Sequence, residues 1–311
     1  MMRHRSYSRS LLATVFVVVG LFCLMFLCCP PLGQSAFSAE MAETDSFEVV
    51  AQRAESLAEK YGPREVLLVC DIDNTILTMN QELGSVAWFD DQARLLRNNP
   101  QSEELVAKDF SSLLRVQRML FVLSRMHPPE NTIPDKITAL QKKGVYVICL
   151  TSRGPAYRNA TEDALRRNRY DLARGAPKVV DRFRGETIPY KLDKIAASGI
   201  SREEANRFRL GEPRLVSYDK GLFMVSGQNK GAMLLILLAH CSRRFSAVVF
   251  VDDKEQHVKD VFTAVVARGV EIVAYRYSRE DHLADLYKKS GHQKAHEQWK
   301  KLDGVLGEVF Q

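Results

Sequence analysis

The chain has 311 residues, 46% of them hydrophobic and 26% charged, with a formal net charge of +6. That balance suits one or two globular domains with a sizeable core, and no repeat or low-complexity segment interrupts it. Residues 1–38 hold three arginines and no acid, so the remainder carries +3 and offers no basic footprint for nucleic acid.

Arg3, Arg5 and Arg9 precede a nearly unbroken apolar run from Leu11 to Cys29, which Pro30-Pro31 ends. Small residues follow, including Ala36-x-Ser38. Basic, apolar and small-residue regions in that order read as a secretory signal peptide over residues 1–38, cut between about Ser38 and Ala42. The alternative is a retained anchor, because residues 11–29 approach the ~20 that span a bilayer. Either way the folded part, residues 39–311, is expected outside the cytoplasm, periplasmic or secreted. It would meet a membrane only through that segment, if uncleaved. Phe22, Leu27 and Cys28 are poor matches to the small residue that precedes a lipidated cysteine. Beyond residue 38 only Cys70, Cys149 and Cys241 remain, an odd number with no short spacing, which argues against a disulfide framework. Cys70 and Cys149 end apolar strands and read as small core residues.

Asp45 with Glu48 resembles a helix start, and Phe47, Val50, Ala54 and Leu57 share one helical face. Gly62-Pro63 stops that helix. Val66 to Cys70 is then a strand buried on both faces, and it ends in Asp71-Ile72-Asp73-Asn74-Thr75. By itself, D-x-D-x-T also describes a solvated turn. Two acids outside the carboxyl end of a buried strand, however, are costly without a positive partner. A hard divalent cation such as Mg²⁺ supplies one, and it commonly brings a phosphate.

Residues 76–128 form a long connection to the second strand. Gly84-Ser85 breaks it, and helices are expected over Ala87–Arg97 and Glu103–Met126. Trp88 and Phe89 either line an entrance or form the segment's own core. His127-Pro128-Pro129 closes it as a rigid turn. Pro134–Lys143 reads as a helix ended by Gly144. Val145–Leu150 is the second buried strand, followed by Thr151-Ser152-Arg153-Gly154 and a helix over Ala156–Asn168. A hydroxyl residue ahead of a helix N-terminus suits an anion, although Thr151 as a simple cap is compatible with the same pattern.

Residues 169–213 are hard to read beyond a capping box at Ser201 and Glu204. Leu215–Tyr218 and Leu222–Val225 read as a hairpin or the approach to a third strand. Gly227-Gln228-Asn229-Lys230 opens a strongly apolar helix. A lysine at the positive end of a helix dipole makes sense beside an anion, here Asp71 and phosphate. Ala247–Val251 is another buried strand, ending in Asp252-Asp253, a second acidic pair that is hard to explain without a cation. A helix over Glu255–Arg268 and a last strand over Val270–Tyr275 follow. The C-terminal part, from Asp281, reads as helical, with Leu283, Leu286 and Trp299 packed on the sheet.

The ordered set Asp71-x-Asp73-x-Thr75, Thr151, Lys230 and Asp252-Asp253 resembles the haloacid dehalogenase superfamily of phosphohydrolases over roughly residues 64–276. Gly227-Gln228-Asn229-Lys230 also looks like the third motif of periplasmic class B acid phosphatases. Asp71–Thr75 with Leu83-Gly84-Ser85 and Trp88-Phe89 is closer to an uncharacterised bacterial family within the superfamily. The resemblance implies an α/β, Rossmann-like, three-layer parallel sheet. Residues 79–128 would be a helical cap inserted after the first motif strand, and residues 169–226 a second, smaller insertion. It implies Asp71 as nucleophile and Asp73 as general acid and base. Mg²⁺ would be held by Asp71, the Asp73 carbonyl and Asp253, with Asp252 sharing it through water or orienting Lys230. Thr151, Ser152 and Lys230 would hold phosphate. Many members carry an acid four residues after the metal aspartate, where this chain has His257. The substrate class implied is a small phosphate ester. The alternatives are phosphotransfer on the same site and a catalytically silent protein that binds a phosphorylated ligand.

Overall fold

The computed structural model describes residues 37–290 and 292–310. The basic and apolar N-terminal stretch, and the choice between signal peptide and anchor, lie outside these residues. Among the described residues no helix is long and apolar enough to cross a membrane.

Strand β2 (Val66–Cys70) sits inside an eight-stranded sheet of order β1-β10-β9-β2-β5-β8-β7-β6. Its neighbours are β9 (Ala247–Asp252) and β5 (Tyr146–Thr151), both parallel to it. Beyond β9 lie β10 (Glu271–Tyr277) and the edge strand β1 (Ala39–Thr44), also parallel. Beyond β5 lie β8 (Leu222–Met224), parallel, and then β7 (Val216–Asp219) and β6 (Gly185–Thr187), antiparallel. The fold is therefore α/β with a mostly parallel central sheet, compatible with a Rossmann-like arrangement.

The apolar runs form strands because both faces are covered. Along β2, Val66, Leu68 and Cys70 point into one core while Leu67 and Val69 point into the other. The first core is closed by α1 (Phe47–Tyr61), α4 (Ile133–Lys143) and α5 (Arg158–Arg167) through Phe47, Leu57, Ile137 and Leu165. The second is closed by α6 (Arg202–Arg207), α7 (Lys230–His240) and α8 (Glu255–Val266) through Ala205, Leu234 and Val261. From β2 the chain moves to β5 on one side and later to β9 on the other. The crevice outside the strand ends at such a reversal is where open α/β sheets hold ligands.

Between β2 and β5, short β3 (Thr78–Met79) pairs antiparallel with β4 (Met126–His127), so residues 80–125 leave and return through one neck. They carry α2 (Val86–Asn98) and α3 (Phe110–Leu123). The Ser85 hydroxyl accepts from the Trp88 N–H at 3.3 Å, so the expected break is also a helix cap. Helix α3 starts seven residues later than the periodicity implies, because Asp109 accepts from the Ser112 N–H at 2.8 Å and caps it there. Trp88 is buried, as part of the segment's own core with Leu113 and Leu120.

Other departures have local causes. Ser46, not Asp45, precedes α1; its side chain makes no cap bond, and Glu130 Oε1 accepts from the Phe47 N–H at 2.6 Å instead. Strand β1 had no sequence expectation; its residues alternate poorly and it occupies a sheet edge. The C-terminal helices α9 (Asp281–Lys289) and α10 (Gln293–Val309) do not pack on the sheet as expected. Tyr287, Ala295 and Trp299 join the core of α2 and α3 instead, and Leu286 is exposed. Residues 169–226, expected as a second insertion, carry β6, α6, β7 and β8, so their strands belong to the main sheet.

Helix α7 is held against α8 at its first turn. A Cβ added at Gly231 would lie 2.3 Å from the Asp260 carbonyl oxygen and 2.7 Å from its carbon. Backbone cannot swing aside as a flexible side chain does, so overpacking of about 1–3 kcal/mol is expected. Gly231→Ala should lower the melting temperature by several degrees in circular dichroism melts; an unchanged melting temperature would show that α7 and α8 separate freely.

Candidate active site

The side chains expected in the site come from the carboxyl ends of β2, β5 and β9 or from the start of α7. Pairing of Cys70 with Val251 and with Cys149 brings the three strand ends level. Asp71 leaves the sheet at once, its N–H donating to the Val251 carbonyl at 2.9 Å. The Ile72 carbonyl then accepts from the N–H groups of Ile76 and Leu77 at 3.1 and 2.9 Å, which curls the chain back. Asn74 takes a left-handed conformation, φ 58°, within that turn.

Lys230 is carried by a loop whose polar side chains are all engaged. The Gln228 amide donates to the carbonyls of Val225 and Arg214 at 2.9 and 3.0 Å and accepts from the Arg214 N–H at 2.9 Å. Asn229 caps α7 by accepting from the Ala232 N–H at 3.0 Å, and it donates to Asp260 at 2.9 Å. The same loop is stitched to the one after β5. Val225, Ser226 and Gly227 donate to the carbonyls of Thr151, Arg153 and Ser152 at 2.9, 3.1 and 2.8 Å. Ser226 and Gly227 adopt φ values of 54° and 67° to do so.

The result is an ammonium group with no solvent exposure between two buried carboxylates. Lys230 Nζ donates to Asp71 Oδ1 at 2.5 Å and to Asp252 Oδ2 at 2.7 Å. Asp252 also accepts from the Lys254 N–H at 2.8 Å and lies 3.0 Å from His257 Nδ1. Asp253 is half-buried beside them. One ligand oxygen each from Asp71, Asp252 and Asp253 lies within 4.8 Å of the others.

Charge follows from this crowding. Burial pushes the Asp71 carboxyl up to about 6; Lys230 pulls it down, while Asp252 and Asp73 push it up. Burial, then Asp252 and Asp71, drive the Asp253 carboxyl well above the usual carboxylate range. Burial opposes charge on Asp252 too, but Lys230 and His257 hold its carboxyl down at about 2. Burial likewise disfavours the Lys230 ammonium, but Asp252 and Asp71 outweigh it and raise the pKa above the ordinary lysine value. Three carboxylates against one ammonium leave two negative charges unmatched when all are ionised. All-oxygen donors with that deficit fit a hard divalent cation.

Asp71, Lys230, Asp252 and Asp253 thus converge as expected. Asp252 meets Lys230 directly. Asp73 stands apart from the trio: its carboxylate is held by Arg153, with Nε to Oδ2 at 3.0 Å and Nη2 to Oδ1 at 2.6 Å. Thr151 is buried and its hydroxyl accepts from the Arg153 N–H at 3.2 Å. The Ser152 side chain is exposed, and its carbonyl serves the loop stitching. No acceptor among the described residues takes the N–H of Ile72, Asp73 or Ser152, which leaves amides from both loops free for an anion.

The sequence assigns no role to Arg153 or Lys254, and it marks His257 only as a departure from the acid expected there. Arg153 stands in a stretch already singled out, but an arginine in a loop reads as solvated until its partner, 80 residues earlier in the chain, is known. Lys254 bonds Asp90 of α2 at 3.1 Å, which ties the segment between β2 and β5 to the rim of the acidic cluster.

No curated protein and no solved structure matches the chain. A family model does, over residues 43–310, a span that takes in all these residues. The chain belongs to that family, which is described as a protein of unknown function (DUF2608).

Proposed function

We propose that this protein is an exported, Mg²⁺-dependent phosphomonoesterase of haloacid dehalogenase type, acting on small phosphate esters. The observation that carries this reading is the contact of buried Lys230 with Asp71 and Asp252, beside the half-buried Asp253. A lysine, three carboxylates and free loop amides are what phosphoryl transfer needs, since its catalysis is mainly positioning and electrostatics. The finer fold we propose is a Rossmann-like phosphatase core with residues 79–128 as a helical cap. The β3–β4 neck and the Asp90–Lys254 bond support that reading.

Asp71, Asp253 and Asp252, with the Asp73 carbonyl, would hold the cation; Asp252 meets the Lys254 N–H and His257 as well as Lys230, and is the weaker candidate for direct contact. When bound, Mg²⁺ neutralises charge between nucleophile and phosphate. The chain's own residues then divide the reaction. An oxygen of Asp71 attacks phosphorus and the ester P–O bond breaks, leaving an aspartyl-phosphate. Asp73 gives a proton to the departing alkoxide, which leaves as the alcohol. Asp73 takes a proton from water as that water attacks the same phosphorus; the Asp71–phosphorus bond breaks and inorganic phosphate leaves. Lys230, Thr151 and the N–H groups of Ile72, Asp73 and Ser152 steady the phosphoryl oxygens.

The direct test is phosphate release from a panel of small esters by the full chain, with and without Mg²⁺. Asp71→Asn should cut turnover by at least ~10³-fold while the circular dichroism spectrum is kept. Unchanged turnover would remove the covalent step. New esters formed on adding acceptor alcohols would move the reading to phosphotransfer.

Metal binding has its own readout. Mg²⁺ at ~100 times its dissociation constant should stabilise the chain by about 2.7 kcal/mol, raising the melting temperature by about 5–10 °C. Asp253→Asn should lose that rise. Ligation needs ionised carboxylates, and the Asp71 pKa is raised to about 6, so protons compete below that value. The rise should therefore be larger at pH 7.5 than at pH 5. Equal rises at both pH values, or a rise kept in Asp253→Asn, would place the ion elsewhere.

A further inference from the structure

We propose that Arg153 is a positioning residue whose guanidinium holds the Asp73 carboxylate in the orientation from which it exchanges protons with ester and water. The inference rests on the phosphomonoesterase reading above and adds to it a residue, and a link to the segment between β2 and β5.

Arg153 meets Asp73 as a fork. Two nitrogens reach the two carboxylate oxygens, at 3.0 and 2.6 Å, which fixes the plane of the carboxylate as well as its place. The arginine is itself anchored from several elements. Nη1 donates to Thr161 Oγ1 of α5 at 2.9 Å, and that hydroxyl donates onward to the Tyr157 carbonyl at 2.8 Å. Nη2 also reaches Met126 Sδ at 3.5 Å. The guanidinium carbon lies 3.8 Å from the ring centroid of Phe121, on α3.

These contacts argue for positioning rather than phosphate binding. The Arg153 side chain is 4% exposed, and four of the five guanidinium N–H donors already serve Asp73, Thr161 and Met126, which leaves little donor capacity for a phosphate. Asp73 keeps 24% of its side chain exposed. An ionised carboxylate has about four lone-pair sites, and a fork occupies one on each oxygen, so sites remain for a proton. Lysine, a point charge, cannot reproduce the fork.

The experiment compares kcat and KM of the full chain on an aryl ester, p-nitrophenyl phosphate, and an alkyl ester, ethyl phosphate. The alkoxide is the poorer leaving group and depends more on the proton. Arg153→Lys should lower kcat on ethyl phosphate by about 10²-fold, as a misplacement near 1 Å does, with a smaller loss on the aryl ester. KM should stay within about threefold. Asp73→Asn should show the same contrast between esters, and the double variant should be no slower than Asp73→Asn alone. Thr161→Val and Phe121→Leu keep the ion pair and loosen its supports, so each should lose part of kcat, about 3–10-fold.

A raised KM with unchanged kcat would make Arg153 a phosphate ligand and overturn the proposal. So would losses that multiply in the double variant. If Arg153→Lys unfolds while Thr161→Val and Phe121→Leu lose nothing, the arginine is structural and the proposal also fails. A wild-type chain inactive on every ester overturns the phosphomonoesterase reading and this one with it. An active wild type with an indifferent Arg153→Lys overturns only this one.

Discussion

An ammonium group sealed between two carboxylates governs this molecule. Lys230, Asp71 and Asp252 are each at least nine-tenths buried, and each is tolerable there only because of the other two. Removing one partner of such a pair costs about 3–5 kcal/mol, because a buried charge is left unmatched. The three residues lie on a strand end, a helix start and another strand end, so the pairing fastens β2, α7 and β9 to one another. It also leaves the cluster unfinished. Asp253 adds a third carboxylate, and burial together with Asp252 and Asp71 pushes its pKa up, so its charged form is disfavoured unless a cation joins it. Three carboxylates of that kind fit the divalent cation proposed above.

Getting Lys230 to that point takes more than a helix dipole. The dipole at the start of α7 opposes a cation, and the two carboxylates have to overcome it. What holds the lysine in place is backbone. The loops after β5 and β8 share three N–H to carbonyl bonds, and Gly231 lets α7 approach the backbone of α8 at Asp260. Those bonds use the Ser226 and Gly227 amides within the chain, while among the described residues the amides of Ile72, Asp73 and Ser152 have no acceptor. The loop after β8 thus contributes a charge, and the loops after β2 and β5 present unpaired N–H groups.

What could be read in advance follows the range of the interaction. The buried strands were legible because a strand covered on both faces must be apolar throughout, as Val66–Cys70 and Ala247–Val251 are. Their acidic ends were legible because a carboxylate after such a strand needs a reason. Asp71, Lys230, Asp252 and Asp253 therefore stood out, and the structure brings them together. The edge strand β1 carried no such pattern, since a sheet edge demands little of its side chains. Helix α3 is shorter than its periodicity implies, because Leu105 continues the apolar period while the cap that starts the helix is a local bond of Asp109. The packing of α9 and α10 is not legible in the sequence, because an amphipathic helix states that it has a partner without saying which. Arg153 illustrates the same limit, since its role lies wholly in a contact with a distant residue.

The segment between β2 and β5 reaches the site twice, and the two contacts differ in kind. Lys254 and Asp90 are 42% and 57% exposed, a setting in which an ion pair contributes between nothing and about 1 kcal/mol and weakens with salt. Phe121, by contrast, packs over a guanidinium that is almost fully buried, and Tyr157 meets the same ring edge-on with centroids 5.6 Å apart. The neck at β3 and β4 lies on that side as well, since Met126 of β4 also touches Arg153. The segment is therefore anchored firmly where Asp73 stands and lightly where Asp253 stands. Its far side is braced by Tyr287, Ala295 and Trp299 of the C-terminal helices, which share its apolar core. Under the proposed chemistry, the geometry of proton transfer is built into the folded core, while the rim over the cation cluster is held only by contacts that salt can weaken.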